Sequence, residues 1–254
     1  MFNIILSGAN GRMGKTVAEL VRARSDMKIS FGIDSFDEQA PDFPVFSSFY
    51  KRELISEGLS CIIDFSHPSG LSNLLLFAKE KFLPLVLSTT GYNSGEKEEI
   101  RRASESVAIF QSGNMSLGVN LMIELAKKAA AVLGENFDIE IIEKHHSQKI
   151  DAPSGTAYML AEGINSVLGD KYSYRFDRQA VRGKRPADEI GIHSVRGGTI
   201  VGEHELIFAG NDEIITISHS AYSRRVFAEG ALRAAQFIAL QKPGLYNMSD
   251  MIGL

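Results

Sequence analysis

Phe2-Asn-Ile-Ile-Leu-Ser-Gly8-Ala-Asn-Gly11-Arg-Met-Gly14 is the stretch that decides the fold. Phe2 to Ser7 is a short apolar run and predicts a buried strand. Glycines at 8, 11 and 14 follow, and Met13, Val17, Leu20 and Val21 then recur at helical spacing. A strand, a glycine turn and a helix in that order begin a dinucleotide-binding βαβ unit. Glycine lets the backbone turn tightly and approach a pyrophosphate. The helix start then offers bare N–H groups and a partial positive charge. The spacing, G-x-x-G-x-x-G, is a variant of the usual fingerprint. The loop supplies the candidate cofactor residues Gly8, Asn10, Gly11, Arg12, Met13 and Gly14.

Asp34 strengthens this reading. It ends the second expected strand, Met27 to Ile33, where an acid accepts bonds from ribose hydroxyls. A carboxylate there repels a 2′-phosphate, and no Arg or Lys stands between Ser35 and Tyr50 to receive one. NADH is therefore the expected cofactor. Arg12 and Lys15 leave NADPH open, because either can reach such a phosphate.

Working outward, Leu59 to Phe65 predicts a third strand, with Pro68 just inside the next helix and Ser66 as its cap. Pro84 to Ser88 and Val107 to Gln111 predict further strands around a polar helix, Ser94 to Ser106. Strands alternating with helices imply a parallel sheet covered on both faces. The loops Asp64-Phe65-Ser66 and Ser88-Thr89-Thr90-Gly91 end successive strands on one edge, where such sheets bind ligands. Phe65, Ser66, Ser88, Thr89 and Thr90 are thus candidate linings for the ribose and nicotinamide.

The character changes near Ser116. A long helix is expected to about Leu133, then strands over Phe137 to Ile142, Glu189 to Arg196, Thr199 to Ala209 and Glu213 to Ser220. Phe137, Ile139 and Ile141 alternate with Asp138 and Glu140, as in an open sheet with one wet face. Arg224 to Leu240 predicts a last helix suited to return to the first sheet. The fold class expected is α/β: a Rossmann-like parallel sheet (residues 1–115 and 225–254) plus an α+β domain (116–224) with a mostly open mixed sheet.

Between the expected strand ending at Ile142 and a helix carrying Ala157, Leu160, Ala161 and Ile164 lies Glu143-Lys-His145-His146-Ser-Gln-Lys149-Ile-Asp-Ala-Pro-Ser154-Gly155-Thr156. The pattern places two histidines and a lysine in a strand-to-helix loop. Histidine delivers a proton near neutral pH. Lysine is a fixed positive charge that lowers the pKa of a neighbouring imidazole. Ser154 can cap the helix and leave N–H groups facing an anion. Such a set suits a small anionic substrate that must be protonated.

The chain has 254 residues and a formal net charge of -4, which argues against a general nucleic-acid binder. Its one cysteine, Cys61, reads as a buried strand thiol and fits a reducing cytoplasm. No basic-then-apolar leader and no apolar run near ~20 residues is visible, so neither export nor a membrane span is expected. Adjacent loop histidines rarely converge on one ion, so no metal is expected. His193, His204 and His219 read as satisfied structural histidines, and His67 receives no role. The basic stretch Lys171 to Arg185 reads as a solvated loop.

These stretches resemble the 4-hydroxy-tetrahydrodipicolinate reductase family of lysine and diaminopimelate biosynthesis. The matching motifs are GANGRMG at Gly8–Gly14, DFS at Asp64–Ser66, TTG at Thr89–Gly91, EIIEKHHSQKIDAPSGT at Glu140–Thr156, EIGIHSVRGGTIVGEH at Glu189–His204, and Ser223–Gly230. The resemblance implies NAD(P)H-dependent reduction of a hydroxylated cyclic dicarboxylate with loss of water. It implies His145 as general acid, with Lys149 supporting the developing charge. His146, Ser154, Gly155, Thr156 and Arg224 would bind substrate, and Asn114 and Ser116 would contact cofactor. It further implies a homotetramer built by the second sheet. Ser88 stands where the family usually has glycine, and Gln111–Ser116 replaces a more usual Ala-Pro-Asn-Phe-Ser, which bears on hinge geometry and nicotinamide contacts. The rival readings are another NAD(P)-dependent reductase, such as an amino-acid dehydrogenase, and a nucleotide sensor without catalysis. An intact His-His-x-x-Lys cluster speaks against a sensor, which needs no proton donor.

Overall fold

Seven parallel strands form the first sheet in the computed structural model of the chain, which describes residues 1–35, 40, 42–49, 58–179 and 182–253. They are β1 (Phe2–Ser7), β2 (Met27–Ile33), β3 (Val45–Phe46), β4 (Cys61–Asp64), β5 (Leu85–Leu87), β6 (Ala108–Gln111) and β12 (Gly244–Tyr246). Their order is β12-β6-β5-β4-β1-β2-β3. Ile4, Ile5, Leu6, Ile62, Ile63, Leu85 and Val86 are fully buried, as a parallel sheet covered on both faces requires. This sheet belongs to a unit made of Met1–Leu117 and Arg224–Leu254; Gly118–Ser223 form a second unit.

On one face, α1 (Arg12–Arg22) and α6 (Arg225–Ile238) set Val17, Leu20, Ala231, Leu232, Ala235 and Ile238 against Ile4, Leu6 and Ile63. The last helix thus returns to the first sheet, as its apolar spacing predicts. Alanines and Gly230 let it come close: a Cβ at 230 would run into the Met115 carbonyl. On the other face, α2 (Leu71–Lys81) and α3 (Ser94–Ser104) bury Leu74, Leu75, Ala78, Ile100 and Ala103 against Ile5, Ile62, Leu85 and Ile109. Register aligns Ser7 with Ile33 and Asp64, and Asp64 with Leu87, so these strand ends share one edge.

Two local expectations change. The strand expected over 59–65 spans only Cys61–Asp64; just before it, the Asn3 N–H bonds the Ser60 hydroxyl at 3.1 Å rather than a strand carbonyl. His67, not Ser66, caps the turn that opens with Pro68: its Nδ1 accepts from Ser69 N–H at 3.2 Å. The Ser66 hydroxyl is committed to Asp64 at 2.6 Å. The short β3, β12 and α7 (Met248–Ile252) carry too few residues to set a hydrophobic period.

The second unit contains most of α4 (Leu117–Leu133), then β7 (Asp138–His145), α5 (Gly155–Val167), β8 (Ser173–Arg175), β9 (Glu189–Arg196), β10 (Gly202–Ala209) and β11 (Ile214–Ala221). The sheet order is β11-β10-β7-β9-β8, parallel from β7 to β8 and antiparallel elsewhere, hence mixed. Ile139, Ile141, Ile190, Ile192, Leu206 and Phe208 form its apolar face under Met122, Ala126 and Ala130 of α4 and Leu160, Ala161 and Ile164 of α5.

β7 outruns its expected end at Ile142 and carries the alternation through to His145. Ile139, Ile141, Glu143 and His145 all point inward, and the buried glutamate hid that continuity in the sequence. The basic stretch also departs from a solvated loop. Part of it is β8, and three of its arginines pair with acids: Arg175 with Glu189 at 3.1 Å, Arg178 with Glu140 at 2.5 Å, Arg185 with Glu140 at 3.0 Å. Glu189 is 1% exposed, so it requires a cationic partner.

Candidate active site

At the aligned strand edge of the first unit lies a cleft of about 440 Å³. Gly8, Asn10, Gly11, Asp34, Phe65, Ser66 and His67 are among its lining residues. Gly8 has φ +77°, and a Cβ there would stand 2.5 Å from the Phe65 carbonyl oxygen, so only glycine fits. A Cβ on Gly14 would press on the Gly8 and Ala9 carbonyls, which identifies it as the glycine of helix–strand packing. No side chain caps α1, whose start at Gly11–Arg12 sits on this loop. Asp34 accepts from the Asn10 N–H at 2.9 Å and so braces the turn. These features fit a dinucleotide: a backbone-lined turn, a helix start without a side-chain cap, and a carboxylate at the second strand's end.

Of the other cofactor candidates, Arg12 is exposed and Met13 packs on the core. Asp64, 1% exposed, gathers the neighbouring loops: it accepts from the Ser66 hydroxyl at 2.6 Å and the Thr89 hydroxyl at 2.7 Å. Burial raises its carboxyl above the ordinary range, and the hydroxyls of Ser66, Thr89 and Ser7 pull it back in part. Ser88 N–H bonds the Asp64 carbonyl, whereas the Ser88 hydroxyl is buried with no hydrogen-bond partner among the described residues. Thr90 is exposed. Ser116 N–H bonds Asn114 Oδ1 at 2.9 Å, so these two form one turn. Arg224 is exposed at the start of α6, in the first unit.

In the second unit, strand register assembles a polar end to an otherwise apolar face. Glu143 pairs across with His204 and Ser194, and His145 with Arg196. Glu143 is fully buried and accepts from His145 Nδ1 at 2.6 Å, from Arg196 at 2.7 and 2.8 Å, and from Ser154 N–H at 3.1 Å. Burial alone would raise its carboxyl, but the bonds from Arg196, His145 and Ser194 bring it down to about 2. His145 is lowered, first by burial; Glu143 opposes that, while Lys149 and Arg196 add to it. Ser154 caps α5 as expected, its hydroxyl accepting from Ala157 N–H at 3.2 Å. Lys149 Nζ lies 2.8 Å from Asp151, and Gly155 opens α5 in an exposed position beside Thr156. His146 Nδ1 is buried and bonds no group among the described residues.

His204 is satisfied within a strand, as the sequence reading expects. It sits inside this cluster, with Nε2 2.9 Å from the Ser154 hydroxyl and its ring edge-on to His145 at 5.3 Å. Burial, then the charge of His145, pushes it down to about 3, so it stays neutral at working pH. His193 is satisfied by Glu140 at 2.7 Å, but His219 Nδ1 is buried and bonds no group among the described residues, contrary to expectation. The sequence motifs contain Glu143 and Arg196 but assign neither a role. The available signal was the inward parity of Glu143 with Ile139 and Ile141. Among the described residues no group of three or more His, Cys, Asp or Glu is placed to hold a metal, and no helix is long and apolar enough to cross a membrane.

A doubly wound parallel sheet with a glycine turn at its strand edge is the architecture of dinucleotide-binding proteins, and the second sheet adds a buried cluster of titratable side chains. Comparison with known proteins narrows the class. Residues 2–115 match the family described as dihydrodipicolinate reductase, N-terminus, and residues 118–252 match dihydrodipicolinate reductase, C-terminus. The 4-hydroxy-tetrahydrodipicolinate reductase of Caldanaerobacter subterraneus subsp. tengcongensis is 49% identical over 252 residues, covering 99% of this chain and 98% of the relative. That of Clostridium novyi is 44% identical with the same coverage. The solved structure of dipicolinate-bound dihydrodipicolinate reductase from Paenisporosarcina sp. TG-14 shares the fold, with a TM-score of 0.81 at 24% identity over 99% of both chains. The chain belongs to the dihydrodipicolinate reductase family, whose reductase role lies in lysine and diaminopimelate biosynthesis.

Proposed function

We propose that the chain reduces 4-hydroxy-tetrahydrodipicolinate to tetrahydrodipicolinate, with His145 as the proton donor. The observation that carries this is the 2.6 Å bond from His145 Nδ1 to the buried Glu143, which leaves Nε2 as the working nitrogen. A bound nicotinamide supplies the hydride. The hydroxyl leaves as water to give a conjugated imine; the hydride adds to that ring, electron density moves toward the ring nitrogen as an enamine, and a ring carbon takes a proton from His145 Nε2. Gly202 leaves space beside that atom, since a Cβ there would stand 3.1 Å from Nε2. Lys149 offsets the negative charge that develops, released for this from Asp151. His146, Ser154, Gly155, Thr156 and Arg224 receive the two carboxylates. The buried, unbonded His146 Nδ1 and the start of α5 support that assignment.

Residues 1–115 and 225–254 form the dinucleotide-binding domain in this reading, and 116–224 the substrate and oligomerisation domain. Gly8, Asn10, Gly11, Arg12, Met13, Gly14, Asp34, Phe65, Ser66, Ser88, Thr89, Thr90, Asn114 and Ser116 serve the cofactor. NADH is preferred, on the strength of Asp34 in the cleft. A cytoplasmic homotetramer follows the family resemblance; exposed Ile214 and Ile215 on the edge strand β11 support burial by another copy.

The test is absorbance of the reduced nicotinamide, followed with the product of dihydrodipicolinate synthase and with other imino acids, using both cofactors. Oxidation with the synthase product, faster with NADH, is expected. Turnover of another imino acid with none of the synthase product would overturn the assignment.

A further inference from the structure

We infer that Glu143 and Arg196 are positioning residues that fix which nitrogen of His145 carries the exchangeable proton. The inference deepens the reading of His145 as the acid and rests on it for its catalytic meaning. Both Glu143 oxygens are engaged: Oε1 accepts from Ser154 N–H and Arg196, Oε2 from His145 Nδ1 and Arg196. A neutral imidazole has one N–H, and a carboxylate only accepts. The Nδ1–H is therefore held by Glu143, and Nε2 alone gains and loses the proton.

Arg196 makes this arrangement possible. A fully buried carboxylate without a cation would take up a proton and compete with the imidazole for it. The guanidinium also donates to the Asp151 carbonyl at 2.5 Å, so one side chain ties β9 to the buried acid and to the loop holding Lys149. Among the described residues, the titratable groups around His145 come from several elements. Glu143 lies on its own strand, Arg196 on β9 and His204 on β10, with His219 of β11 behind it, and Lys149 with Asp151 lies in the loop. Of these, only Glu143 and Asp151 are acids, and only Glu143 bonds the ring.

Nitrogen-15 spectra of the imidazoles in the native chain test the inference without turnover. The neutral form of His145 should carry its proton on Nδ1. Glu143→Gln keeps the shape and removes the charge. Its kcat should fall about 10²-fold with KM nearly constant, in the range of lost orienting partners. The fall in kcat at high pH should begin about one unit lower, because the imidazolium loses its counter-charge. Glu143→Asp should restore most of that limb. An Nε2–H tautomer in the native chain, or a Glu143→Gln limb that does not move, overturns the inference. Should Glu143→Gln fail to fold, the native tautomer decides alone. A wrong substrate assignment would leave the tautomer untouched, so the two failures are distinguishable.

Discussion

The strand edge of the first unit and the sheet end of the second solve the same problem, presenting charge complementarity, with different materials. The first uses backbone: glycine turns, a helix start without a side-chain cap, and one carboxylate that braces the loop. The second uses side chains: a fully buried glutamate, an arginine and two histidines brought together across three strands. A backbone site depends on what a residue lacks, so its signature is local and compact. A side-chain site depends on register, so its partners lie far apart in the chain: Glu143 and Arg196 are 53 residues apart.

The largest expected effect tests the side-chain site. His145→Gln should lower kcat about 10³-fold, the scale of a lost general acid. NADH affinity, measured by fluorescence titration, should barely change, because the proposed cofactor cleft lies in the other unit. Turnover within a few-fold of the native chain would remove His145 from the chemistry.

The response to acid comes next. His204 is held down from 6.5 to about 3, and Glu143 from 4.5 to about 2. Between each pair of values the unfolded chain binds more protons than the folded one, so stability falls as pH drops through those windows. Thermal melts should show the loss beginning below 6.5, and His204→Asn should flatten its upper part. An unchanged slope would mean that His204 is protonated in the folded chain.

The backbone site should fail through packing instead. Gly14→Val drives carbon into the Gly8 and Ala9 carbonyls and should cost about 2 kcal/mol or more in denaturant melts. NADH binding should weaken alongside, with the His145 tautomer unchanged. The smallest effect is expected at Asp34. Asp34→Ala should shift the NADPH-to-NADH ratio of kcat/KM toward NADPH by about tenfold, about 1.4 kcal/mol. An unchanged ratio would take cofactor choice away from this residue.

How much was legible follows the same division. Phe2 to Gly14 was readable because strand, turn and helix are contiguous and each has its own period. The Ser154 cap was readable because it sits beside the helix it starts. The His67 cap was missed because an imidazole in place of a hydroxyl is an uncommon choice, and Ser66 offered a conventional one. Arg175, Arg178 and Arg185 read as solvated in the sequence because their acids, Glu140 and Glu189, lie on neighbouring strands.

The sequence by itself determined the class of fold, the glycine turn, the acid at the end of the second strand, and two histidines with a lysine in one strand-to-helix loop. Hydrophobic period and glycine geometry act over a few residues, and that is the range a linear reading can follow. Only the tertiary structure decided that β7 runs on to His145, that Glu143 turns inward, and that Arg196 and His204 close around it. Those outcomes depend on strand register. Register is set by the whole apolar face of the sheet seeking burial at once, not by any one segment.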